Sequence, residues 1–255
     1  MELAYERRGS GEPLILLHGI GHHWQGWLPV LDRLAAERDV IAVDLPGFGV
    51  SPALPDATPY TAESLADAVE SFCELMGLRE PHVAGNSLGG YLALELAARG
   101  SVRSATALSP AGFWSEPELV WCQVVLRGIR AASRKLPPEA GSYTKVDRAL
   151  AVGLLVARPG QLDPMALAAA RQAMASAPGF DEALASFANV LPPGPPKAPI
   201  TIAWGEHDRL LPRRQAVRAA RWSGQRVRLL RGCGHLPMSD DPDLVARVLL
   251  EGSAR

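Results

Sequence analysis

The most informative stretch of this chain is Gly85-Asn86-Ser87-Leu88-Gly89-Gly90. It follows an apolar run that predicts a strand, His82 to Ala84, and precedes a segment of helical pattern, Leu88 to Arg99. A serine at a sharp turn between strand and helix has strained backbone angles, and the residues two positions to either side have room only for small side chains. Glycine at 85 and 89 meets this need. The stretch therefore predicts a serine raised above a sheet, beside free backbone N–H groups of a helix start.

The same glycines are also compatible with an anion-binding turn or with a merely tight turn, because a bare G-x-S-x-G pattern occurs often by chance. A dinucleotide fingerprint fits poorly, since the G-x-G-x-x-G spacing is absent and no acidic residue follows a second strand at the usual distance. The choice between these interpretations depends on the rest of the chain.

Short apolar runs alternate with amphipathic stretches of helical length on both sides of this turn. This alternation is typical of a parallel sheet covered by helices. The predicted strands are Glu2 to Tyr5, Leu14 to Leu17, Val40 to Val43, His82 to Ala84, Ala105 to Leu108, Pro199 to Trp204 and Val227 to Leu230. The predicted helices of this part are Trp27 to Ala36, Ala62 to Met76, Leu88 to Arg99, Arg213 to Trp222 and Pro242 to Leu250.

The pattern changes from Gly112 to about Leu191, where helices rich in Ala, Leu and Trp follow one another without a convincing strand. This segment ends in Leu191-Pro-Pro-Gly-Pro-Pro-Lys197, whose prolines exclude a helix interior and a central strand. The expected fold class is therefore α/β, with a mostly parallel central sheet flanked by helices and an all-helical cap insertion. We expect residues 1–111 and 195–255 to form the core and residues 112–194 to form the helical cap.

The composition is that of an ordinary globular protein, with 47% hydrophobic and 21% charged residues in 255. Lys and Arg total 26 against 27 Asp and Glu, so nothing recommends a nucleic-acid partner. Three cysteines without a C-x-x-C pair argue against a disulfide framework or a zinc site. The N-terminus is charged where a signal peptide would be apolar, and no apolar run has the length of a membrane span. We expect a cytoplasmic protein without stable membrane association.

A serine hydroxyl needs an adjacent base, usually a histidine whose tautomer is fixed by a carboxylate. Trp204-Gly-Glu-His-Asp208 puts an aspartate in the loop that leaves one apolar strand, and Gly232-Cys-Gly-His235 puts a histidine in the loop after the next. Both loops follow the carboxyl ends of strands, where open parallel sheets place their ligands. We predict Ser87 as the nucleophile, His235 as the base and Asp208 as the acid that orients it.

Other residues compete for these roles. His207 stands beside Asp208 and is a less favoured candidate for the base. Glu206, or a carboxylate in the segment Ser115 to Glu118, could replace Asp208 as the orienting acid, although Asp208 is favoured. His22 and His23 resemble a metal pair, but adjacent residues do not converge on one ion and no third ligand is spaced to help. We expect neither a metal nor a cofactor.

With these residues assembled, the chain resembles the α/β-hydrolase fold family across nearly its whole length. The order Ser87, Asp208, His235 along the chain is the order of that family. Three further segments match, namely His18-Gly19-Ile20-Gly21, Asp44-Leu-Pro-Gly-Phe-Gly49 and Asp241-Pro242. Within the family, the chain looks like a serine carboxylesterase with a helical cap.

The resemblance implies an oxyanion hole made by the backbone N–H groups of Ile20 and Leu88, which would meet the negative charge that develops on a carbonyl oxygen. It implies that the His18 ring orders its loop and does not act as a base. Aromatic residues near the loops above Ser87 are candidates for an apolar acyl pocket, because ligand sites are mostly apolar. The candidates are Trp24, Phe113 and Trp114.

The function implied is hydrolysis of carboxylic esters of small to medium acyl chains through an acyl-enzyme, with a small-molecule ester as the only partner of a monomer or homodimer. Three alternatives stay open: a carbon–carbon bond hydrolase of ring-fission products, a cofactor-free perhydrolase, and a non-catalytic protein of this fold that binds a small molecule. Serine in place of aspartate at position 87 argues against the haloalkane dehalogenase and epoxide hydrolase branches of the family.

Overall fold

A seven-stranded sheet lies at the centre of the computed structural model, which describes residues 1–135 and 152–254. In chain order the strands are β1 Tyr5–Gly9, β2 Pro13–Leu17, β3 Asp39–Val43, β4 His82–Asn86, β5 Ser104–Leu108, β6 Ile200–Gly205 and β7 Arg228–Leu230. They lie in the order β1-β3-β2-β4-β5-β6-β7. Only the β1–β3 pair is antiparallel among these strands, so the mostly parallel sheet predicted from the sequence is confirmed.

The first strand differs from its sequence prediction. The prediction of Glu2 to Tyr5 is wrong, because β1 runs from Tyr5 to Gly9 and pairs with β3 up to Gly9 opposite Asp39. An edge strand is exposed along one side, so it needs no apolar run to mark it. Arg7 in this strand instead donates to both carboxylate oxygens of Asp39, at 2.8 and 2.7 Å.

Helices cover both faces of the sheet. They are α1 Leu28–Ala35, α2 Ala62–Leu75, α3 Leu88–Arg99, α4 Glu116–Lys135, α5 Pro164–Ser176, α6 Phe180–Ser186, α7 Arg214–Ser223, α8 Pro237–Asp240 and α9 Pro242–Gly252. Short 3-10 turns occur at Trp24–Trp27, Pro159–Gln161 and Phe187–Asn189. Helix starts follow local chemistry: the side chains of Thr61, Asp163 and Asp241 accept from free N–H groups at the starts of α2, α5 and α9.

Two apolar clusters hold these layers together, one on each face of the sheet. Because successive side chains of a strand point to opposite faces, Ile15 and Leu17 of β2 join the cluster that includes α2 and α3. Leu14 and Leu16 of the same strand join the cluster that includes α1 and α9. Burial of β2 on both faces explains its unbroken apolar run.

Among its described residues, the segment between β5 and β6 has helices joined by turns and coil, and no strand. It contains α4, α5 and α6, and α4 packs against α5. Residues 136–151 of the predicted cap lie outside the described residues, and the boundaries 112 and 194 stay a prediction. Within the described ranges, no helix combines the length and the apolarity that crossing a membrane requires.

Candidate active site

Ser87 sits at the predicted sharp turn between β4 and α3. Its backbone has φ 57° and ψ −115°, a strained conformation for a residue with a side chain. A Cβ atom on Gly85 would lie 2.0 Å from the carbonyl oxygen of Gly89, and one on Gly89 would lie 2.1 Å from that of Leu17. Both glycines are therefore required by close backbone contact, as the sequence predicted.

The loop after β2 passes directly beside this serine. A Cβ atom on Gly19 would lie 3.2 Å from the Cβ of Ser87. The N–H of His22 donates to the Gly19 carbonyl at 3.1 Å and closes a turn around Ile20. Leu88 is the first residue of α3, so helix bonding does not use its N–H. Both predicted oxyanion donors thus belong to segments that adjoin Ser87.

His18 fixes this loop through contacts of both ring nitrogens. Its Nδ1 lies 2.7 Å from the Gly19 carbonyl oxygen and its Nε2 lies 3.0 Å from the backbone nitrogen of Leu45. Because a backbone N–H can only donate, Nε2 is the acceptor and Nδ1 carries the proton. Burial lowers the pKa of His18 to about 3, which keeps the ring neutral. The predicted ordering of the loop by His18 is confirmed, and its exclusion as a base stays a prediction.

Asp44 ties together the loops on the same side of the sheet. Its buried carboxylate accepts from the backbone N–H groups of Trp24, at 2.6 Å, and Val50, at 2.9 Å. The Ser51 hydroxyl donates to the Asp44 carbonyl at 2.7 Å. Burial raises the pKa of this carboxyl, against the two N–H donors. The motif from Asp44 to Gly49 therefore positions the backbone of the neighbouring loops.

Asp208 and His235 form a buried pair after β6 and β7. The distance between His235 Nδ1 and Asp208 Oδ2 is 2.8 Å. The other oxygen, Oδ1, accepts from the N–H groups of Leu210 at 3.0 Å and Leu211 at 2.8 Å. Because one oxygen is held by the backbone, the other is fixed in position to accept the imidazole Nδ1–H. The structure thus brings together the predicted acid and the predicted base.

The two loops that carry this pair touch at their backbones. A Cβ atom on Gly205, the last residue of β6, would lie 2.0 Å from the carbonyl oxygen of Gly234. The N–H of His207 donates to the Cys233 carbonyl at 2.8 Å. The absence of a side chain at 205 therefore permits the short separation between the aspartate loop and the histidine loop.

Asn86 connects the histidine loop to the serine turn. Its Nδ2 donates to the carbonyl oxygens of His235 at 2.9 Å and of Leu108 at 3.1 Å. In the part of the chain that the structure describes, no hydrogen bond joins Ser87 Oγ to His235. The backbone of His235 is therefore tied to Asn86, the residue before Ser87. The side chains of His235 and Ser87 are not directly hydrogen-bonded. Sequence analysis missed Asn86, for which the only signal was its place beside Ser87.

The competing acids and the competing base have other partners. His207 is exposed, and its ring lies 3.7 Å from the Glu206 carboxylate. Glu206 accepts from the N–H of Gly232 at 2.9 Å. Neither side chain hydrogen-bonds to His235 within the described ranges. The geometry therefore favours Asp208 over Glu206 as the acid and His235 over His207 as the base.

Glu118, in the other segment considered for the acid, is a buried link between α4 and α7. Its carboxylate accepts from the Ser115 N–H at 2.7 Å and forms ion pairs with Arg214 and Arg218. Burial raises the pKa of this carboxyl, but the Ser115 N–H and the two guanidinium groups outweigh it, so the net pKa is lowered. Glu118 therefore acts as a structural anion between the two helices.

His22 and His23 do not form a metal site with other side chains in the described ranges, where no group of three or more His, Cys, Asp or Glu residues could hold an ion. Their rings stack with centroids 5.2 Å apart. Burial lowers the pKa of each to about 4, so both are neutral at neutral pH.

The three aromatic candidates for the acyl pocket lie in two different clusters. Trp24 packs against the cluster that includes α1 and α9. Phe113 is buried in the other cluster, with its ring 5.4 Å from that of Trp222. Trp114 packs on Phe187 with ring centroids 5.3 Å apart. Their role in substrate binding stays a prediction.

A mostly parallel sheet with a serine turn after β4 and an aspartate–histidine pair after β6 and β7 defines an α/β hydrolase. The chain matches the alpha/beta hydrolase family over residues 14–248 and belongs to it.

Three curated relatives illustrate the range of this family. The chain is similar to epoxide hydrolase EphH of Mycobacterium tuberculosis, with 30% identity over 72% of this chain and 91% of the relative. It is 38% identical to the dihydrolipoyllysine-residue acetyltransferase component of the acetoin cleaving system of Cupriavidus necator, over 44% of this chain and 30% of the relative. Against the pimeloyl-[acyl-carrier protein] methyl ester esterase of Aeromonas hydrophila, identity is 38% over 38% of this chain and 36% of the relative. The matches thus span about a third of the last two relatives.

Two solved structures share the fold over almost the whole chain. A membrane phospholipase A described as a bacterial virulence factor superposes with TM-score 0.77 and 27% identity, covering 99% of this chain and 83% of its own. The meta-cleavage product hydrolase CumD of Pseudomonas fluorescens superposes with TM-score 0.76 and 20% identity, covering 98% of this chain and 93% of its own. At 20% identity, the similarity to CumD shows a shared fold only.

Proposed function

We propose that this protein is a serine hydrolase that cleaves carboxylic esters of small to medium acyl chains through an acyl-enzyme. The observation that carries the proposal is the buried hydrogen bond of 2.8 Å between His235 and Asp208, in a loop held by Asn86 beside the strained Ser87 turn. A histidine oriented by a carboxylate next to an elevated serine is the arrangement that acyl transfer needs.

The first half-reaction acylates Ser87. His235 takes the proton of the hydroxyl while Oγ forms a bond to the ester carbonyl carbon, and the carbonyl electron pair moves onto its oxygen. The N–H groups of Ile20 and Leu88 donate to that oxyanion, and Asp208 stabilises the imidazolium. The intermediate collapses by breaking the bond to the alkoxy oxygen, which receives the proton from His235 and leaves as the alcohol.

The second half-reaction returns the enzyme to its starting state. His235 takes a proton from water, whose oxygen attacks the acyl carbon and forms a second oxyanion in the same place. Collapse breaks the bond to Ser87 Oγ, which recovers its proton from His235 and releases the carboxylic acid. This cycle uses no metal and no cofactor.

The cycle requires a hydrogen bond between Ser87 Oγ and His235 Nε2 during attack. In unliganded hydrolases such catalytic bonds are often long or poorly aligned and tighten only in the complex with substrate. We propose that an ester bound over the turn brings the hydroxyl into line with the imidazole. The segment 112–194 would act as the cap that excludes water from this complex, in a cytoplasmic monomer or homodimer.

A carbon–carbon bond hydrolase is the second candidate. The turn Gly85-Asn86-Ser87-Leu88-Gly89-Gly90 resembles that of hydrolases of ring-fission products, and the fold is shared with CumD. Epoxide hydrolysis is disfavoured in spite of the similarity to EphH, because position 87 is serine where that branch of the family uses aspartate.

The direct test is turnover of p-nitrophenyl acetate and butyrate by the wild type and by Ser87→Ala, together with fluorophosphonate labelling. We expect hydrolysis by the wild type, an adduct on Ser87, and a loss of at least about a thousandfold in kcat for Ser87→Ala. The matched control is Ser176→Ala. It removes an exposed hydroxyl on α5 that bonds only to Gln172 within the described residues, and it should keep wild-type turnover and wild-type labelling.

Two results would redirect the proposal. A wild type that neither turns over nor labels, while binding a small molecule tightly, would make this a non-catalytic binding protein. A larger kcat/KM for a dienoate ring-fission product than for any ester would favour the carbon–carbon hydrolase.

A further inference from the structure

A cavity of about 580 Å³ opens between α5 and the start of α1, and we call it the α5 cavity. This volume is within the usual range for sites that enclose small organic ligands. Its walls are mainly apolar, and the residues used below are Leu28, Ala166, Ala169, Ala170 and Leu236.

Small side chains on one face of α5 create this space. Ala166, Ala169 and Ala170 have the spacing i, i+3, i+4, so they share one face of the helix, and all three line the cavity. Larger apolar residues at these positions would fill it. Leu28 and Met165 line its outer part and are 43% and 67% exposed, so the cavity opens to solvent there.

The cavity adjoins the two loops of the candidate active site. Leu236 in its wall is the residue after His235, and His22 in its wall closes the turn that begins at Gly19 beside Ser87. A smaller cavity of about 10 Å³, lined by Gly19 and Asn86, shares His22 and Leu236 with it. A ligand held in the α5 cavity is therefore adjacent to both the histidine loop and the proposed oxyanion loop.

The polar groups on its walls are uncharged or already engaged. His22 and His23 are neutral at neutral pH, because burial lowers the pKa of each to about 4. The carboxylate of Asp163 accepts from the N–H groups of Met165 and Ala166 at the start of α5. Nothing in these contacts favours a charged ligand, whereas the alanine face and Leu236 favour an apolar one.

We infer that the α5 cavity binds an uncharged apolar group of the ester, an alkyl chain of medium length or an aromatic ring, and that the alanine face of α5 sets its size. This inference rests on the proposed ester hydrolysis.

The test is Ala170→Phe, which places a ring inside the cavity. Two substrate series are compared by kcat/KM: p-nitrophenyl acetate, butyrate, hexanoate and octanoate vary the acyl side, and methyl, hexyl and benzyl butyrate vary the alcohol side. In one of the two series we expect the variant to lose about tenfold or more for the largest member relative to the smallest. Gln172→Phe adds the same ring at an exposed position outside the cavity and should keep the wild-type ratios.

Unchanged ratios in both series, or an equal loss for every substrate in each, would overturn the inference. If Ala170→Phe melts well below the wild type, Ala170→Leu replaces it with the same expectations.

A binding measurement separates failure of this inference from failure of the proposed function. The uncharged fluorophore N-phenyl-1-naphthylamine is titrated into Ser87→Ala and into Ser87→Ala with Ala170→Phe, neither of which needs to turn over. Binding weakened about tenfold or more by the ring supports a ligand site in the cavity, even if no ester is hydrolysed. Equal binding in the two variants would contradict it.

Discussion

The side-chain amide of Asn86 donates to the carbonyl oxygen of His235 at 2.9 Å, across 149 positions of sequence. The same nitrogen donates to Leu108 at the end of β5, at 3.1 Å. One buried side chain thus joins the serine turn, the neighbouring strand and the loop of the proposed base. Its position suits a residue that sets where the imidazole stands relative to Ser87.

Asn86→Ala should lower kcat for p-nitrophenyl butyrate more than it raises KM, because the histidine loop loses its tie to the turn while the rest of the site is kept. The two carbonyl groups lose a buried donor, which should cost about 1–3 kcal/mol in the free energy of unfolding. Steady-state kinetics and urea unfolding measure the two effects. Asn86→Asp has the same shape without the donor, and a wild-type kcat in that variant would contradict the role.

Asp208→Asn should reduce kcat by about four orders of magnitude while the protein stays folded. The amide oxygen can still accept from Leu210 and Leu211, but an NH2 group would face His235 Nδ1 and favour the wrong tautomer. Kinetics with p-nitrophenyl butyrate and thermal melting test this. Glu206→Gln is the control, and should leave kcat near the wild-type value. Near-full activity of Asp208→Asn would require another acid.

Thr201→Val should stabilise the protein. The hydroxyl of Thr201 in β6 is buried and has no hydrogen-bond partner among residues 1–135 and 152–254, and valine keeps the branched shape that suits a strand. Removing an unpaired buried hydroxyl should raise the free energy of unfolding by about 1 kcal/mol. Urea unfolding measures the change, and a clear loss of stability would show that the hydroxyl has a partner in solution.

The histidines of the loop after β2 should make stability fall with decreasing pH. Burial lowers the pKa of His18 to about 3 and of His22 and His23 to about 4, from 6.5. Below pH 6.5 the unfolded chain binds protons that the folded protein does not, so the stability present above that pH is lost as pH falls towards 4.

Each of these histidines should contribute on the order of 1 kcal/mol per pH unit in that window. Urea unfolding of the wild type and of His23→Gln at several pH values tests this, and the variant should show the shallower dependence. His207→Gln changes an exposed ring and serves as the control. Equal slopes for wild type and His23→Gln would contradict the prediction.

The sequence predicted the elements and residues whose chemistry is local. The glycines around Ser87 mark the turn, and the loops of Asp208 and His235 follow apolar strands whose carboxyl ends meet at one edge of a parallel sheet. That rule is sufficient to bring an acid and a base together. The search for apolar runs failed for β1, because an edge strand that pairs Arg7 with Asp39 has no apolar signature.

The contacts that depend on distances between remote segments could not be predicted. The bond from Asn86 to the His235 backbone and the link from Glu118 to Arg214 leave no trace in spacing or composition. The α5 cavity is equally hidden, since three alanines on a helix face are typical of tight packing as well as of an open site. The sequence likewise cannot establish whether Trp24, Phe113 and Trp114 line a substrate pocket, and that role stays a prediction.

The close backbone contact between Gly205 and Gly234 identifies a position that directed evolution must keep, whereas the alanine face of α5 offers positions that it can vary. Any side chain at 205 would push the aspartate and histidine loops apart, so a library that includes this residue would consist largely of inactive members. The alanine face of α5 contributes to neither loop. If the α5 cavity binds the ester as proposed, random substitution there should change substrate preference while the spacing of Asp208 and His235 is retained.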